Sequence, residues 1–177
     1  MNTLRCIVSS LAVAGFLTAC GGGSDDIKPA GSTTTTTTTT TVTAGDASRY
    51  AGTWVGCFSE GPTTSSRQTL VLTQQGANSL SGASTETAFA APSCGGTAGV
   101  TKTSSGTIAF AGTKTIGADT VDKATITFPG KPPQKQVLLV KGTAPAMLFF
   151  GKEPGDGGTL DADGYPTTLE SNGLTKQ

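Results

Sequence analysis

From residue 50 onward, apolar side chains recur at every second position in short runs, and Gly, Pro, Asn or Ser closes each run within a few residues. A period of two places one face of an extended segment inward and the other in solvent, which is the pattern of antiparallel strands joined by short turns. No window carries a helical period. Trp54, Gly56 and Phe58 share one face of the run 50–58, and Leu70 with Leu72 do so in 68–73. Residues 75–78 read as a turn, 80–89 as a weaker strand, 94–96 as another turn and 98–103 as a short strand. Ile108 and Phe110 point inward in 107–111, as do Ala124, Ile126 and Phe128 in 122–128. The segments 136–140 and 146–150 are apolar throughout, which implies burial on both faces, with the outer face covered by a ligand or by the chain's own tail. Only 14% of residues are charged and Gly contributes 25, a composition that suits strands and turns better than helices. The fold class is all-β. About eight short strands at hairpin spacing predict an antiparallel up-and-down barrel, with a β-sandwich as the alternative. Closing the sheet removes exposed edges, which favours the barrel.

The N-terminus has a different character. Arg5 is followed by a mostly apolar stretch, 6–19, too short to span a bilayer as a permanent helix and suited to a signal peptide. It ends in Leu17-Thr18-Ala19-Cys20, which resembles the lipobox of bacterial lipoproteins. The resemblance implies cleavage after residue 19, a diacylglycerol thioether on Cys20 and an amide-linked third chain, enough acyl groups for stable membrane anchoring. Gly21 rather than Asp follows the cysteine, which points to the outer membrane of the bacterial cell envelope. Residues 20–47 then form a linker dominated by Thr33–Thr41. A uniform polar run has little to bury and no inner face to set a register, so it reads as a disordered spacer reaching about 30 Å, with O-glycosylation as the alternative use. The cargo domain is 48–177.

This assignment orders the cysteines. Cys6 leaves with the signal peptide and Cys20 carries lipid, so Cys57 and Cys94 remain as an even pair in an oxidising compartment. A disulfide joins them on this reading. Two free thiols or a metal site are the alternatives, although no His is present to complete the latter.

Gly52-Thr53-Trp54 resembles the G-x-W of the first strand in lipocalin and related calycin barrels. There the Trp closes one end of the barrel beneath a basic side chain near the last strand, and the resemblance makes Lys152 the candidate partner. The family's T-D-Y motif and matching Arg are absent. The outline also resembles small bacterial metalloprotease inhibitors, which combine a barrel, an early G-x-W and one disulfide.

Chemistry is conspicuous mainly by what is missing. The chain has no His, which removes Ser-His-Asp and Cys-His catalysis and His-ligated zinc. The domain's few acids fall largely in expected loops, so no enzyme and no cofactor is expected. Asp156, Asp161 and Asp163 suggest a calcium loop, but counting from Asp161 puts Pro166 at the sixth position and Asn172 at the twelfth, where an EF-hand needs Gly and Glu. Removing residues 1–19 takes Arg5 from the 12 basic residues, leaving 11 against 12 acidic and a net charge of −1. No basic face announces a nucleic-acid partner. A binding module remains, with two occupants open. One is a small apolar ligand inside the barrel, lined by Trp54, Phe110, Phe128 and Phe149; the other is an envelope protein met by the loops 60–66 or 129–135. The Cys20→Ala variant is expected to lose lipid and to appear as a soluble or uncleaved product on detergent-phase partitioning. A cleaved product retained on the membrane overturns the anchor assignment.

Overall fold

Eight antiparallel strands close on one another in chain order, β1 to β8, as an up-and-down barrel. The computed structural model describes residues 46–177. The expected signal peptide, the expected lipidation site Cys20 and the expected linker up to residue 45 lie outside the described residues. The strands are β1 Gly52–Ser59, β2 Ser65–Gly76, β3 Ser79–Phe89, β4 Ala98–Ile116, β5 Asp119–Thr127, β6 Gln134–Lys141, β7 Met147–Phe150 and β8 Leu174–Lys176. A 3₁₀ turn, Ala47–Tyr50, precedes β1, with the Asp46 side chain capping the Ser48 N–H at 2.9 Å. Ala47, expected at the end of the linker, is fully buried and hydrogen-bonds the Ala77 carbonyl at 3.0 Å. The folded domain thus begins slightly ahead of residue 48.

Alternation sorts the side chains as the pattern requires. Trp54, Leu70, Leu72, Leu80, Ile108, Phe110, Ala124, Ile126, Leu138, Leu148 and Leu174 form the barrel core, with Phe58, Phe128 and Phe150 packed against it. A second cluster lies on the opposite face of β5–β7: Val121, Val137, Leu139 and Tyr165, joined by Phe149 and Leu169. Here the segment 151–173 returns across the outside of the barrel. It follows β7 through Lys152 N–H to Thr168 carbonyl (2.8 Å) and Glu170 N–H to Phe150 carbonyl (2.8 Å). The continuous apolar runs in β6 and β7 are therefore inner and outer contacts interleaved, and the chain's own tail is the cover.

Two strand assignments change. Residues 98–103 and 107–111, expected as separate strands, are parts of the 19-residue β4. Ser104-Ser105-Gly106 looks like a turn in isolation. The register from Ser79↔Ala109 to Thr87↔Thr101 passes through it without interruption, because β3 supplies a partner at every step. The eighth strand is instead Leu174–Lys176, which closes the barrel against β1 and β7.

Turn chemistry decides where β5 stops. Phe128-Pro129-Gly130-Lys131 closes through Lys131 N–H to the Phe128 carbonyl at 3.1 Å, with Gly130 at φ 71°. Pro then Gly at the centre of a four-residue turn is the type II signature. Pro129 also lacks the N–H that would continue the ladder to β4.

The disulfide joins Cys57 to Cys94, 37 residues apart with a Cα–Cα distance of 5.9 Å. It fastens the β3–β4 loop to the outer face of β1 and β2. Ser65 Oγ accepts the Cys94 N–H at 2.8 Å and Arg67 donates to the Cys94 carbonyl at 2.9 Å. The Cys57→Ser/Cys94→Ser pair of substitutions is expected to lower unfolding stability by about 2–4 kcal/mol. An unchanged denaturation midpoint would show the crosslink to be dispensable.

Candidate functional site

The barrel interior is filled at one end by a knot of polar contacts. The turns β2–β3, β4–β5 and β6–β7 define this upper end, where residue 46 also lies. Tyr50 stacks on Phe110 with ring centroids 4.9 Å apart, and Trp54 Nε1 donates to the Tyr50 carbonyl at 2.7 Å. The Tyr50 hydroxyl donates to Asp122 Oδ2 at 2.6 Å and lies 3.1 Å from the Leu138 carbonyl oxygen. Arg49 reaches in from the surface to form an ion pair with the same carboxylate. Asp122 is only 1% exposed, so these partners are what make its burial tolerable. Burial first, then the neighbouring carboxylate, pushes the Tyr50 hydroxyl well above its ordinary pKa, keeping it a donor. Burial works against the charge on Arg49, but its hydrogen bond to Asp122 and the further interactions with Tyr50 and Asp122 together outweigh it, and its pKa is raised.

From the sequence alone, Asp122 has no role beyond opening the strand 122–128. The signal for its true place was available: it has the parity of Ala124 and Ile126, the inward side of β5. Trp54 closes this end of the barrel beneath a cation, but the cation is Lys176, with Nζ 5.2 Å from the ring centroid. Lys152 does not serve this role. Trp54 and Lys176 are register partners across the β1–β8 closure, which fixes the pairing.

The four aromatic side chains offered as a ligand lining do not converge. Trp54 and Phe110 are packed in the core, Phe128 lies against its edge, and Phe149 belongs to the outer cluster beneath the tail. Phe149 pairs with Leu139, and both point outward on the pleat. Tyr50, Trp54, Leu80, Leu138 and Leu148 are all below 2% exposed, so protein side chains occupy the barrel's inner space.

The acidic cluster is likewise divided. Asp161 accepts from Lys114 and from the Tyr165 N–H, and these bonds, with the Lys114 charge, hold its pKa below the ordinary value. Among the described residues no three His, Cys, Asp or Glu side chains are grouped to hold a metal ion. Glu153 accepts from Gln136 Nε2 at 3.0 Å; burial, then Asp156 and Glu170, raises its pKa. Glu170 is raised by burial and then by Asp156.

What remains open is the outer face of β2–β5 at the lower end. Cross-strand rows Thr73–Ser81–Thr107–Thr127, Val71–Ala83–Ser105 and Thr69–Thr85–Thr103 carry hydroxyls and small apolar groups without a charge. A groove of about 740 Å³ runs over this face and is bounded by Pro129, Gly130 and Lys131 of the β5–β6 turn. Gly106 lies where β5 leaves β4; an added Cβ there would come 2.6 Å from the Thr127 carbonyl oxygen. Below that point β4 continues with no partner on its β5 side among the described residues. Residues 98–105 are exposed, with Val100 at 70%. Both loops singled out in the sequence, 60–66 and 129–135, lie at this lower end.

No protein-family model, curated protein or solved structure matches the chain. The fold and surface define a small, closed, antiparallel up-and-down barrel with a filled interior and an open lower flank. The Tyr50→Phe substitution is expected to cost about 1–3 kcal/mol, because the Asp122 oxygen loses a donor it cannot replace with water. Urea unfolding measures this, and a loss below about 0.5 kcal/mol would show the hydroxyl to be incidental.

Proposed function

We propose that this chain is a bacterial envelope lipoprotein, held at the outer membrane by acylated Cys20, whose barrel is a protein-interaction module working through its lower flank. Of the two occupants left open by the sequence, the surface partner is the better supported. The observation that carries this reading is the filled interior: Tyr50 and Trp54 are fully buried against neighbouring core side chains where a carrier would hold its ligand. Apolar-ligand sites are concave and leave room for the molecule. The available concavity is the groove on the outer face, with the β5–β6 turn as its rim. Residue 46 is at the upper end, so the lower flank is the part of the barrel farthest from the linker. Binding rather than catalysis fits a chain without His whose Asp122 and Asp161 carboxylates are committed to Arg49 and Lys114.

Photo-cross-linking in intact cells tests the reading. Benzoylphenylalanine at Thr127 or Lys131 is expected to give discrete protein adducts, whereas the same group at Asp163, on the covering tail, gives none. Native mass spectrometry of the purified chain is expected to show no ligand apart from the anchor. A stoichiometric apolar molecule, released only on unfolding, overturns this proposal in favour of a carrier.

A further inference from the structure

The lower half of β4 is an edge strand inside an otherwise closed barrel. Only Thr107–Ala109 lie between β3 and β5; 110–116 pair with β5 alone, whereas 98–106 pairs only with β3 among the described residues. On the free side, the backbone N–H and C=O groups of alternate residues face outward without a strand to meet them. Natural sheets blunt such an edge with Pro, with bulges, with charge or by keeping it short. None of 98–106 is Pro, and the register is unbroken from Thr101 to Ala109. Thr101, Thr103 and Val100 are good strand formers, all exposed. Two devices are present: a register shift between Ala98 and Thr101 at the far end of the stretch, and Lys102 at its middle.

We propose that the open edge of β4 at 98–106 is a strand-addition site that takes an extended, acidic segment of another polypeptide as an additional β-strand. This rests on the interaction-module reading and names its mode. Two features of the edge select the occupant. Backbone pairing supplies affinity for any extended chain, so the side chains must supply the choice. The free stretch 98–106 carries Lys102 and no acid, and Lys131 stands on the turn at its upper limit. Glu86 is the register partner of Lys102 on β3. An acidic residue laid opposite Lys102 on the free side therefore extends a row of alternating charge, which favours the pair.

The same lysine acts against a second copy of this chain. Two such edges meeting antiparallel about a two-fold axis would bring Lys102 opposite Lys102, or diagonal to it, in every register that uses most of the strand. Registers that separate the two charges shorten the ladder. Lys102 thus combines attraction for an acidic partner with repulsion of the self-pair, the two elements that specificity needs.

The test uses the whole chain in detergent and a capped Thr/Val-alternating peptide matched in length to 98–106, with Asp at its centre. Its companions are the same peptide with central Lys and two N-methylated Asp peptides, each lacking donors along one edge. The Asp peptide is expected to bind roughly tenfold more tightly than the Lys peptide and to slow amide exchange within 98–106. One N-methylation phase abolishes binding and the other leaves it intact. Lys102→Glu reverses the preference, at some cost in melting temperature because it stands opposite Glu86, and Lys102→Gln erases it. Strand addition is overturned if no peptide binds at millimolar concentration, or if binding ignores N-methylation. It is also overturned if amides 98–106 already exchange slowly in the chain alone, or if dimers form through that stretch. Cross-linked adducts at Thr127 and Lys131 without peptide-dependent protection of 98–106 overturn strand addition but leave the interaction-module reading standing. An apolar molecule in the interior overturns that reading instead.

Discussion

Closure of the barrel depends on two residue pairs, Trp54↔Lys176 and Val55↔Thr175, where three-residue β8 meets β1. Without them β1 and β8 would both be sheet edges, each presenting unpaired backbone groups. The closure is reinforced by side chains at the same place. The Lys176 ammonium stands over the Trp54 ring, the indole N–H is bound by the Tyr50 carbonyl, and Tyr50 in turn binds the buried Asp122. Termination of the chain and entry into β1 are thereby joined in one packed unit at the upper end. The short last strand suffices because its neighbours are tied down by contacts that are not strand pairing.

The lower end follows a different logic. β2–β4 are longer than β5–β7, and the Pro129-Gly130 turn stops β5 at Thr127. The Cys57–Cys94 bridge stiffens this extension by holding the β3–β4 loop to its outer face. A rigid extension with one exposed side is useful for recognition, since an ordered edge has already met the entropic cost that a flexible one would incur on binding. The upper end is consequently the more tightly interlocked and the lower flank the more exposed.

Much of this arrangement was legible in the residues. Alternation placed Leu70, Leu72, Ile108, Phe110 and Ala124 inward correctly, because one face of an antiparallel strand must be dry. It also offered the chain's own tail, beside a ligand, as a cover for 136–140 and 146–150, and Tyr165 and Leu169 of the tail pack there. The misreadings share a cause. Ser104-Ser105-Gly106 was taken for a break, Lys152 for the partner of Trp54, and Phe149 for an interior ring. Each depends on a neighbour supplied by a strand distant in sequence: β3 for the first, β8 for the second, the tail for the third.

The sequence by itself determined the all-β class, the inward side of nearly every strand and the pairing of the two remaining cysteines. These follow from local periodicity and from counting. Only the tertiary structure decided that the barrel is filled, that β8 comes from the last few residues, and that half of β4 is left as an open edge. Those outcomes turn on register and relative strand length, which are properties of pairs of strands and are written in no single segment.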